Sequence, residues 1–229
     1  LDLDAFKLAS HSATDVLLLR ELARRDKPII ASVGMSTERE VDRLVEILHD
    51  KDLTLLHCVS VYPTRKEDAN LGMIKWLNRY GRRVGYSDHE DGIMIAPIAV
   101  ALGADVIEKH VTLDKNTAGF DHHMSIEPYQ IVELIKNIRL VKTLLEPGQQ
   151  KVVSRDEYDV FDNRRLSLYT ASQIRKGETL NPEMMVAKAP LVGLTPHMMD
   201  QLCGAEVLYD LEKDAPITFG MVKLKGGSK

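Results

Sequence analysis

The chain has 229 residues, of which 44% are hydrophobic and 28% are charged, an ordinary composition for one large globular domain or for one medium and one small domain. Its formal net charge of −4 lacks the basic character that binding to DNA or RNA requires, and no apolar run approaches the roughly 18–20 residues of a membrane span. The two cysteines, Cys58 and Cys203, form no disulfide framework or zinc-knuckle spacing, which indicates reduced thiols and a cytoplasmic protein.

Five short apolar segments, each followed by a helical pattern, occupy the first 145 residues. The predicted strands are Phe6–Ala9, 29–34, Thr54–Cys58, Val84–Tyr86 and a fifth that starts at Val106–Ile107. Strict alternation of strands and helices predicts a parallel sheet, and near-continuous apolar strands fit a sheet covered on both faces. The pattern alone allows a doubly wound sheet or part of a (β/α)₈ barrel. No Gly-rich dinucleotide fingerprint follows the first strand, which disfavours a Rossmann fold.

The composition changes after Leu145. Residues 147–163 are mostly polar and charged and open with Pro147-Gly148, so they are predicted to form an extended linker after a domain that covers residues 1–146. The segment beyond the linker reads as a small β-rich module over residues 164–229. Its predicted elements are strands at Leu166–Ala171 and Met185–Ala187, a short helix at Pro196–Leu202, and a last strand around Ile217.

Metal-capable side chains follow the fourth and fifth strands. Ser87-Asp88-His89 ends one strand and Glu108-Lys109-His110 ends the next, and the carboxyl ends of parallel strands are where ligand sites lie in α/β folds. Two neutral imidazoles suit Mn²⁺, Fe²⁺, Co²⁺ or Zn²⁺ in an open site that can polarise a carbonyl. The alternative is that one histidine caps a strand and the other is a hydrogen-bonded core residue.

Other polar residues also lie near strand ends, and each has a structural alternative. Lys7 within a short apolar strand suggests an anionic partner, although it could reach solvent at the sheet edge. Ser10 could join Lys7 at one site only where the backbone turns at the strand's end. The hydroxyl of Tyr62 could orient a substrate, or the ring could pack on the rim. Adjacent histidines such as those at 122–123 diverge, so a solvated loop is the commoner interpretation of Asp121 and its neighbours.

Taken together, these strand ends resemble the sialic acid (N-acetylneuraminate) synthase family. The matching segments are Lys7-x-x-Ser10, KPIIASVGM (27–35), LLHCVSVYPT (55–64), VGYSDH (84–89), GADVIEKHVTLD (103–114) and GFDHHMSIEP (119–128). The segment RRLSLYTASQIRKGETLNPEMMVAKAP (164–190) resembles the antifreeze-like (SAF) domain of that family. The resemblance covers essentially the whole chain, and the order and spacing of so many motifs make it specific.

The resemblance implies a (β/α)₈ TIM barrel followed by the SAF domain, and a transferase that condenses phosphoenolpyruvate with an N-acyl hexosamine such as N-acetylmannosamine. It implies that His89 and His110 bind a divalent metal, expected to be Mn²⁺, with Mg²⁺ or Co²⁺ as alternatives. The remaining implied residues are Lys7, Ser10, Ser60 and Ser87 for substrate binding and Tyr62 and Asp121 for catalysis. It also implies a homodimer in which the SAF domain closes over the partner subunit's site.

Three departures from the family pattern affect residues that would contact the acceptor sugar or lie near it. The Lys-Arg-Pro segment of the SAF domain is Lys188-Ala189-Pro190 here, the glutamate after the Lys-x-x-Ser segment is replaced by Ser12, and the Ser-Thr-Gly-Met turn contains Val33. Synthesis of a related nonulosonic acid or surface-polysaccharide sugar is therefore one alternative. A non-catalytic sugar-binding or regulatory homologue is another.

The chain begins at what would be the fourth strand of the family's barrel. Five strand–helix units cannot close a barrel and would leave sheet edges uncovered. We therefore expect the sequence to be part of a longer protein or to be completed by another chain, and we expect no catalysis from residues 1–229 alone.

Overall fold

The computed structural model describes residues 3–146 and 151–224. The chain divides into two compact units, Leu1–Pro147 and Gly148–Lys229. No helix within the described residues combines the length and the apolarity needed to cross a membrane.

The first unit alternates strands and helices throughout, as its sequence pattern predicts. Its elements are β1 (Phe6–Leu8), α1 (Val16–Ala23), β2 (Ile29–Ser32), α2 (Glu38–Ile47), β3 (Leu53–Cys58), α3 (Gly72–Leu77), β4 (Arg83–Asp88), α4 (Ile95–Ala101), β5 (Val106–Lys109) and α5 (Pro128–Leu145). The five strands form one parallel sheet in the order β1-β2-β3-β4-β5, so each strand pairs with its neighbour in sequence. The prediction of a five-stranded parallel sheet is confirmed.

Local signals in the sequence set the helix ends. Asp15 caps α1 by accepting hydrogen bonds from the backbone N–H groups of Leu17 and Leu18 at 3.0 and 3.1 Å. Thr37 and Glu40 form a capping box at the start of α2. A 3₁₀ turn, Asn78–Tyr80, follows α3 directly and is capped by Gly81, whose φ of 62° is left-handed.

The core of the first unit lies between the sheet and its helices. Strand β3 is buried along its whole length, and α1, α2, α3 and α4 each contribute side chains to the same cluster. The most deeply buried members are Leu19, Ile29, Ala31, Leu44, Leu48, Leu55, Ile74, Leu77, Val84, Tyr86 and Ala99. The helices cover one face of the sheet with apolar side chains. Polar side chains gather instead at the carboxyl ends of the strands.

The second unit contains short strands in two antiparallel pairs. Its elements are α6 (Tyr158–Arg164), β6 (Ser167–Thr170), β7 (Met185–Lys188), α7 (Met199–Leu202), β8 (Glu206–Val207) and β9 (Val222–Lys223), with β6 paired to β7 and β8 paired to β9. A separate core includes the fully buried Leu168, Leu202, Val207 and Ile217. The predicted β-rich module is thus confirmed, with each strand only two to four residues long.

Two details of the second unit differ from the sequence-based expectation. The last strand is β9, not a segment around Ile217; Ile217 is buried outside the named strands and donates a backbone hydrogen bond to the Leu168 carbonyl at 2.8 Å. The predicted linker is not extended over its final part, because α6 begins at Tyr158 and covers the rest of it. Residues 147–150 of that linker and residues 225–229 of the module lie outside the described residues.

Candidate active site

The carboxyl ends of all five parallel strands carry polar side chains. Because parallel strands end at the same edge of a sheet, residues far apart in sequence meet there. In strand order they are Lys7 and Ser10; Ser32; Cys58, Ser60 and Tyr62; Ser87 and His89; and Glu108 and His110. Contacts among these side chains divide into two groups, one around Lys7 and one around His89.

The first group is centred on the Lys7 ammonium. Its Nζ donates to Ser32 Oγ and to the Leu8 carbonyl, both at 2.9 Å, and lies 3.4 Å from a carboxylate oxygen of Glu108. The other oxygen of Glu108 accepts a hydrogen bond from the buried Ser87 hydroxyl at 2.6 Å. About a third of the Lys7 side chain remains exposed, so the ammonium can also bind an anion from solution.

Ser10 lies beyond the end of β1, in a 3₁₀ turn, as its participation in the site requires. Its hydroxyl oxygen accepts the Gly34 N–H at 3.2 Å and lies 3.5 Å from the Cys58 sulfur. A Cβ atom on Gly34 would come within 2.5 Å of Ser60 Oγ and 2.9 Å of the Cys58 carbonyl. Only glycine therefore allows the ends of β2 and β3 to approach this closely beside Ser10.

The second group is a cluster of three aromatic rings. The rings of His89 and His110 have centroids 5.3 Å apart, and the ring of Tyr62 lies 4.2 Å from that of His89. His89 is 4% exposed, whereas Tyr62 is 49% exposed. Burial raises the pKa of the Tyr62 phenol, as do the charges of Cys58, Asp121 and Glu108, so this hydroxyl stays protonated and can donate a hydrogen bond near neutral pH.

The surroundings of the two histidines act differently on their protonation: burial lowers the pKa of His89, but its contacts with Cys58 and the Val59 carbonyl raise that pKa overall. His89 Nδ1 lies 2.9 Å from the Val59 carbonyl; this contact needs a proton on Nδ1 and leaves the lone pair of Nε2 available. Burial lowers the pKa of His110, and the neighbouring His89 lowers it further, which favours a neutral imidazole. The residues therefore fit a divalent cation bound by two nitrogens. Within the described part of the chain, no group of three or more His, Cys, Asp or Glu side chains is placed to hold a metal.

Asp121 lies next to this cluster, with a carboxylate oxygen 3.7 Å from His110 Nδ1. It is half-exposed and belongs to the loop after β5, which is held by hydrogen bonds from Ser125 to the Asp121 carbonyl. The adjacent histidines of this loop do not join the site. His122 hydrogen-bonds to Thr112 at 2.7 Å and His123 is exposed, in line with their interpretation as loop residues.

The structure brings all eight predicted site residues to one edge of the sheet, and the roles given to them stay predictions. It adds two residues that the sequence did not indicate, Ser32, which contacts Lys7, and Cys58, and it shows that Glu108 joins Lys7 to Ser87. The Cys58 sulfur lies 3.8 Å from His89 Nδ1 and 3.6 Å from Ser60 Oγ. The position of Cys58 at the end of the apolar run that forms β3 was the sequence feature that could have placed it at this edge.

A cavity of about 620 Å³ adjoins this edge but is centred away from the histidines. It lies on the helix side of β2 and β3, where Trp76, Met73 and Val41 form its apolar wall. Cys58 and Ser60 line both the cavity and the polar edge. Since neither His89 nor His110 lines the cavity, we assign the chemistry to the polar edge and not to the cavity.

Comparison with known proteins agrees with this arrangement. Residues 1–150 match the NeuB family and residues 165–223 match the SAF domain. The chain is 41% identical to an uncharacterized protein of Methanocaldococcus jannaschii, over 93% of this chain and 64% of the relative. It is 34% identical to the N,N'-diacetyllegionaminic acid synthase of Campylobacter jejuni, over 93% of this chain and 66% of the relative. The chain thus spans slightly less than two thirds of these curated relatives.

A solved structure supports the same assignment of the fold. The structure of spore coat polysaccharide biosynthesis protein E from Chromobacterium violaceum matches with a TM-score of 0.77 and 31% sequence identity. The match covers 96% of this chain and 68% of that protein, so it includes most of both compact units.

Proposed function

The chain belongs to the NeuB family, and from that premise we propose that the protein is a transferase that condenses phosphoenolpyruvate with an N-acyl hexosamine to form a sialic-acid-type 2-keto sugar acid. In this reaction the methylene carbon of phosphoenolpyruvate bonds to the sugar aldehyde carbon, water supplies the keto oxygen, and phosphate leaves by C–O cleavage. The observation that carries the proposal is that a partly exposed lysine ammonium and a pair of metal-capable histidines share one sheet edge.

The donor would bind at the group around Lys7. Phosphoenolpyruvate carries a carboxylate and a phosphate, and a lysine ammonium with serine hydroxyls supplies donors for both. An anionic group of the donor would take the place beside Lys7 Nζ that a carboxylate oxygen of Glu108 now occupies at 3.4 Å. Ser10 and Ser60, which converge beside Gly34, would complete the donor site with Ser87.

The acceptor would bind over Tyr62, between the histidines and Asp121. His89 and His110 would hold the metal, Mn²⁺ or alternatively Mg²⁺ or Co²⁺, which when bound supplies Lewis-acid polarisation of the sugar aldehyde. The half-exposed Tyr62 would orient the sugar with its hydroxyl. The carboxylate of Asp121 would orient the His110 ring and accept a hydrogen bond or proton from the acceptor.

A related nonulosonic acid or a surface-polysaccharide sugar is the second candidate product. Ala189 is exposed and carries no polar side chain, and Ser12 is too short to replace a glutamate, so two predicted acceptor contacts differ from the family pattern. The names of two similar proteins, a diacetyllegionaminic acid synthase and a spore coat polysaccharide biosynthesis protein, support this range of products.

The proposed context is a cytoplasmic homodimer in which SAF domains are exchanged between subunits. Both cysteines are free thiols, which agrees with a reducing compartment. The exchange of SAF domains rests on the family resemblance. Light scattering would give the mass of the assembly, and mixing a His89→Ala subunit with a subunit that lacks residues 164–229 would test the exchange through partial recovery of activity.

The decisive experiment measures phosphate release from phosphoenolpyruvate by the intact protein with Mn²⁺. The acceptor panel comprises N-acetylmannosamine, its 6-phosphate, diacetamido-trideoxyhexoses and the non-acylated hexose mannose as a control, with product masses read by mass spectrometry. We expect release with at least one N-acyl sugar and none with mannose. Absence of release with every acceptor would refute the synthase assignment and favour a non-catalytic sugar-binding homologue.

A further inference from the structure

A buried ion pair lies directly behind the two histidines. Asp88 on β4 and Lys109 on β5 are opposite each other in the register of the parallel pair, and Lys109 Nζ donates to Asp88 Oδ2 at 2.9 Å. Their side chains are 0% and 5% exposed. Each residue immediately precedes a predicted metal ligand, so the pair joins the two strand ends at the points from which His89 and His110 emerge.

The hydrogen bonds of this pair hold the backbone on both sides of His89. Asp88 Oδ1 accepts the Glu90 N–H at 3.0 Å, and Lys109 Nζ also donates to the Glu90 carbonyl. Burial and the neighbouring Asp88 carboxylate raise the pKa of the Tyr86 phenol, which keeps this buried neighbour of Asp88 uncharged. Because these bonds include the residue before and the residue after His89, they fix the direction in which its ring leaves the strand.

Further contacts hold His89 from the side of β3. Its carbonyl accepts the Thr64 N–H at 2.9 Å, and its Nδ1 lies 2.9 Å from the Val59 carbonyl. Among the described residues the His110 ring makes no comparable set of hydrogen bonds, and a carboxylate oxygen of Asp121 lies 3.7 Å from its Nδ1. The Lys109 ammonium therefore adds two side-chain hydrogen bonds to the β4–β5 ladder, and these join the strand that carries His110 to the residues on both sides of His89.

Energetics argue that this pair does more than stabilise the sheet. Desolvation of two charges offsets most of their attraction, and replacement of a buried ion pair by well-packed apolar residues is often neutral or stabilising. Side chains alternate along a strand, so Asp88 and Lys109 point away from the face that carries Ser87, His89, Glu108 and His110. The pair therefore acts on the site through the strand ends and not by contact with a ligand.

We propose that Asp88 and Lys109 are positioning residues, whose buried ion pair sets the spacing and orientation of His89 and His110 for a shared divalent metal. This inference rests on the proposed function, because it takes the two histidines to be metal ligands. Partners that orient metal-binding histidines from behind typically change metal affinity by about 10- to 100-fold when they are replaced.

The test uses the double variant Asp88→Leu/Lys109→Met, which removes both charges and puts two apolar side chains of broadly similar size in their place. We expect the free energy of unfolding without metal to fall only modestly, because the Glu90 N–H loses its Asp88 acceptor but neither charge of the pair is left buried without the other. The Mn²⁺ dissociation constant, measured by electron paramagnetic resonance on the intact protein, should rise about 10- to 100-fold. Arg79→Met, which breaks the exposed ion pair with Glu38, is the matched control and should leave Mn²⁺ affinity unchanged.

Each remaining outcome has a defined consequence. A folded double variant that binds Mn²⁺ within threefold of the parent overturns the positioning role. If the double variant does not fold, Asp88→Asn, which retains volume and the acceptor for the Glu90 N–H, is measured at low temperature, and unchanged affinity overturns the role equally. Failure of the parent to bind Mn²⁺, or retention of Mn²⁺ by His89→Ala, overturns the metal assignment and this inference with it.

Discussion

Lys7 Nζ lies 3.4 Å from Glu108 Oε2, although these residues belong to β1 and β5, the two edge strands of the five-stranded sheet. In a flat sheet, four strand spacings would separate those edges by about 19 Å. Contact between the two side chains therefore requires the sheet to curl strongly about its strand direction, as a segment of a barrel does. This curvature brings the predicted donor group and the predicted metal group to one concave edge.

Replacement of Lys7 by methionine should weaken binding of phosphoenolpyruvate about 10- to 100-fold, because the anion loses a charge-assisted hydrogen bond worth about 1.5–3 kcal/mol. Methionine keeps most of the side-chain volume, so β1 should retain its pairing with β2. Calorimetric titration of phosphoenolpyruvate without acceptor gives the dissociation constant. Lys75→Met, an exposed substitution on α3, is the control, and equal affinity in both variants would exclude Lys7 from the donor site.

Replacement of either His89 or His110 by alanine should reduce bound Mn²⁺ from about one equivalent to near zero, because each removal leaves a single imidazole. His123→Ala is the matched control, since His123 is also a histidine after β5, but it is exposed in the loop and does not join the cluster. Metal content after gel filtration would be measured by mass spectrometry. Stoichiometric Mn²⁺ in both alanine variants would refute the ligand assignment.

A third prediction concerns the stability of the first unit in acid. Burial lowers the pKa of His57, whose Nε2–H donates to the Ala69 carbonyl at 2.8 Å, so the folded chain binds a proton here less readily than the unfolded chain. The contribution of neutral His57 is therefore fully present above the unfolded pKa of about 6.5 and is lost as pH falls below it, with a slope of at most about 1.4 kcal/mol per pH unit.

His57→Gln provides the comparison, because glutamine keeps an N–H donor and cannot titrate in this range. Urea unfolding at pH 7.5, 6.5, 5.5 and 5.0 would give the free energy of unfolding of each protein. We expect the difference in stability between parent and variant to shift in favour of the variant as the pH falls. Parallel curves for the two proteins would show that His57 does not set the acid sensitivity.

The order of strands and the residues at their ends could be predicted from the sequence, because apolar runs and the polar residues after them are local signals. His89 and His110 follow two such runs, and both lie at the predicted sheet edge. Helix α5 also follows from local signals, since Pro128 in its first turn and the run of helix formers after it mark the helix directly in the sequence.

Contacts that depend on the curvature of the sheet could not be predicted in this way. Nothing near Lys7 or Glu108 in the sequence indicates that the edge strands approach each other, and the role of Ser32 follows only from the position of Lys7. Helix α6 was missed because it has only seven residues, and its apolar members Tyr158, Val160 and Phe161 span a single turn, too short to show a helical period. The two-residue strands β8 and β9 are too short for a period to be read.

Ser167 supports the last prediction, which concerns the second unit. Its side chain is fully buried, and its hydroxyl oxygen accepts two backbone hydrogen bonds, from the N–H of Val192 at 2.8 Å and that of Gly193 at 3.0 Å. Ser167→Ala leaves both donors without this acceptor, which should cost about 1–3 kcal/mol. Hydrogen exchange of the peptide that contains residues 192–193 should then accelerate about tenfold or more, whereas Ser172→Ala, an exposed substitution, should change nothing. Unchanged exchange in Ser167→Ala would mean that the segment after Pro190 is held by other contacts, chiefly the hydrogen bond from Leu194 to the Ile217 carbonyl.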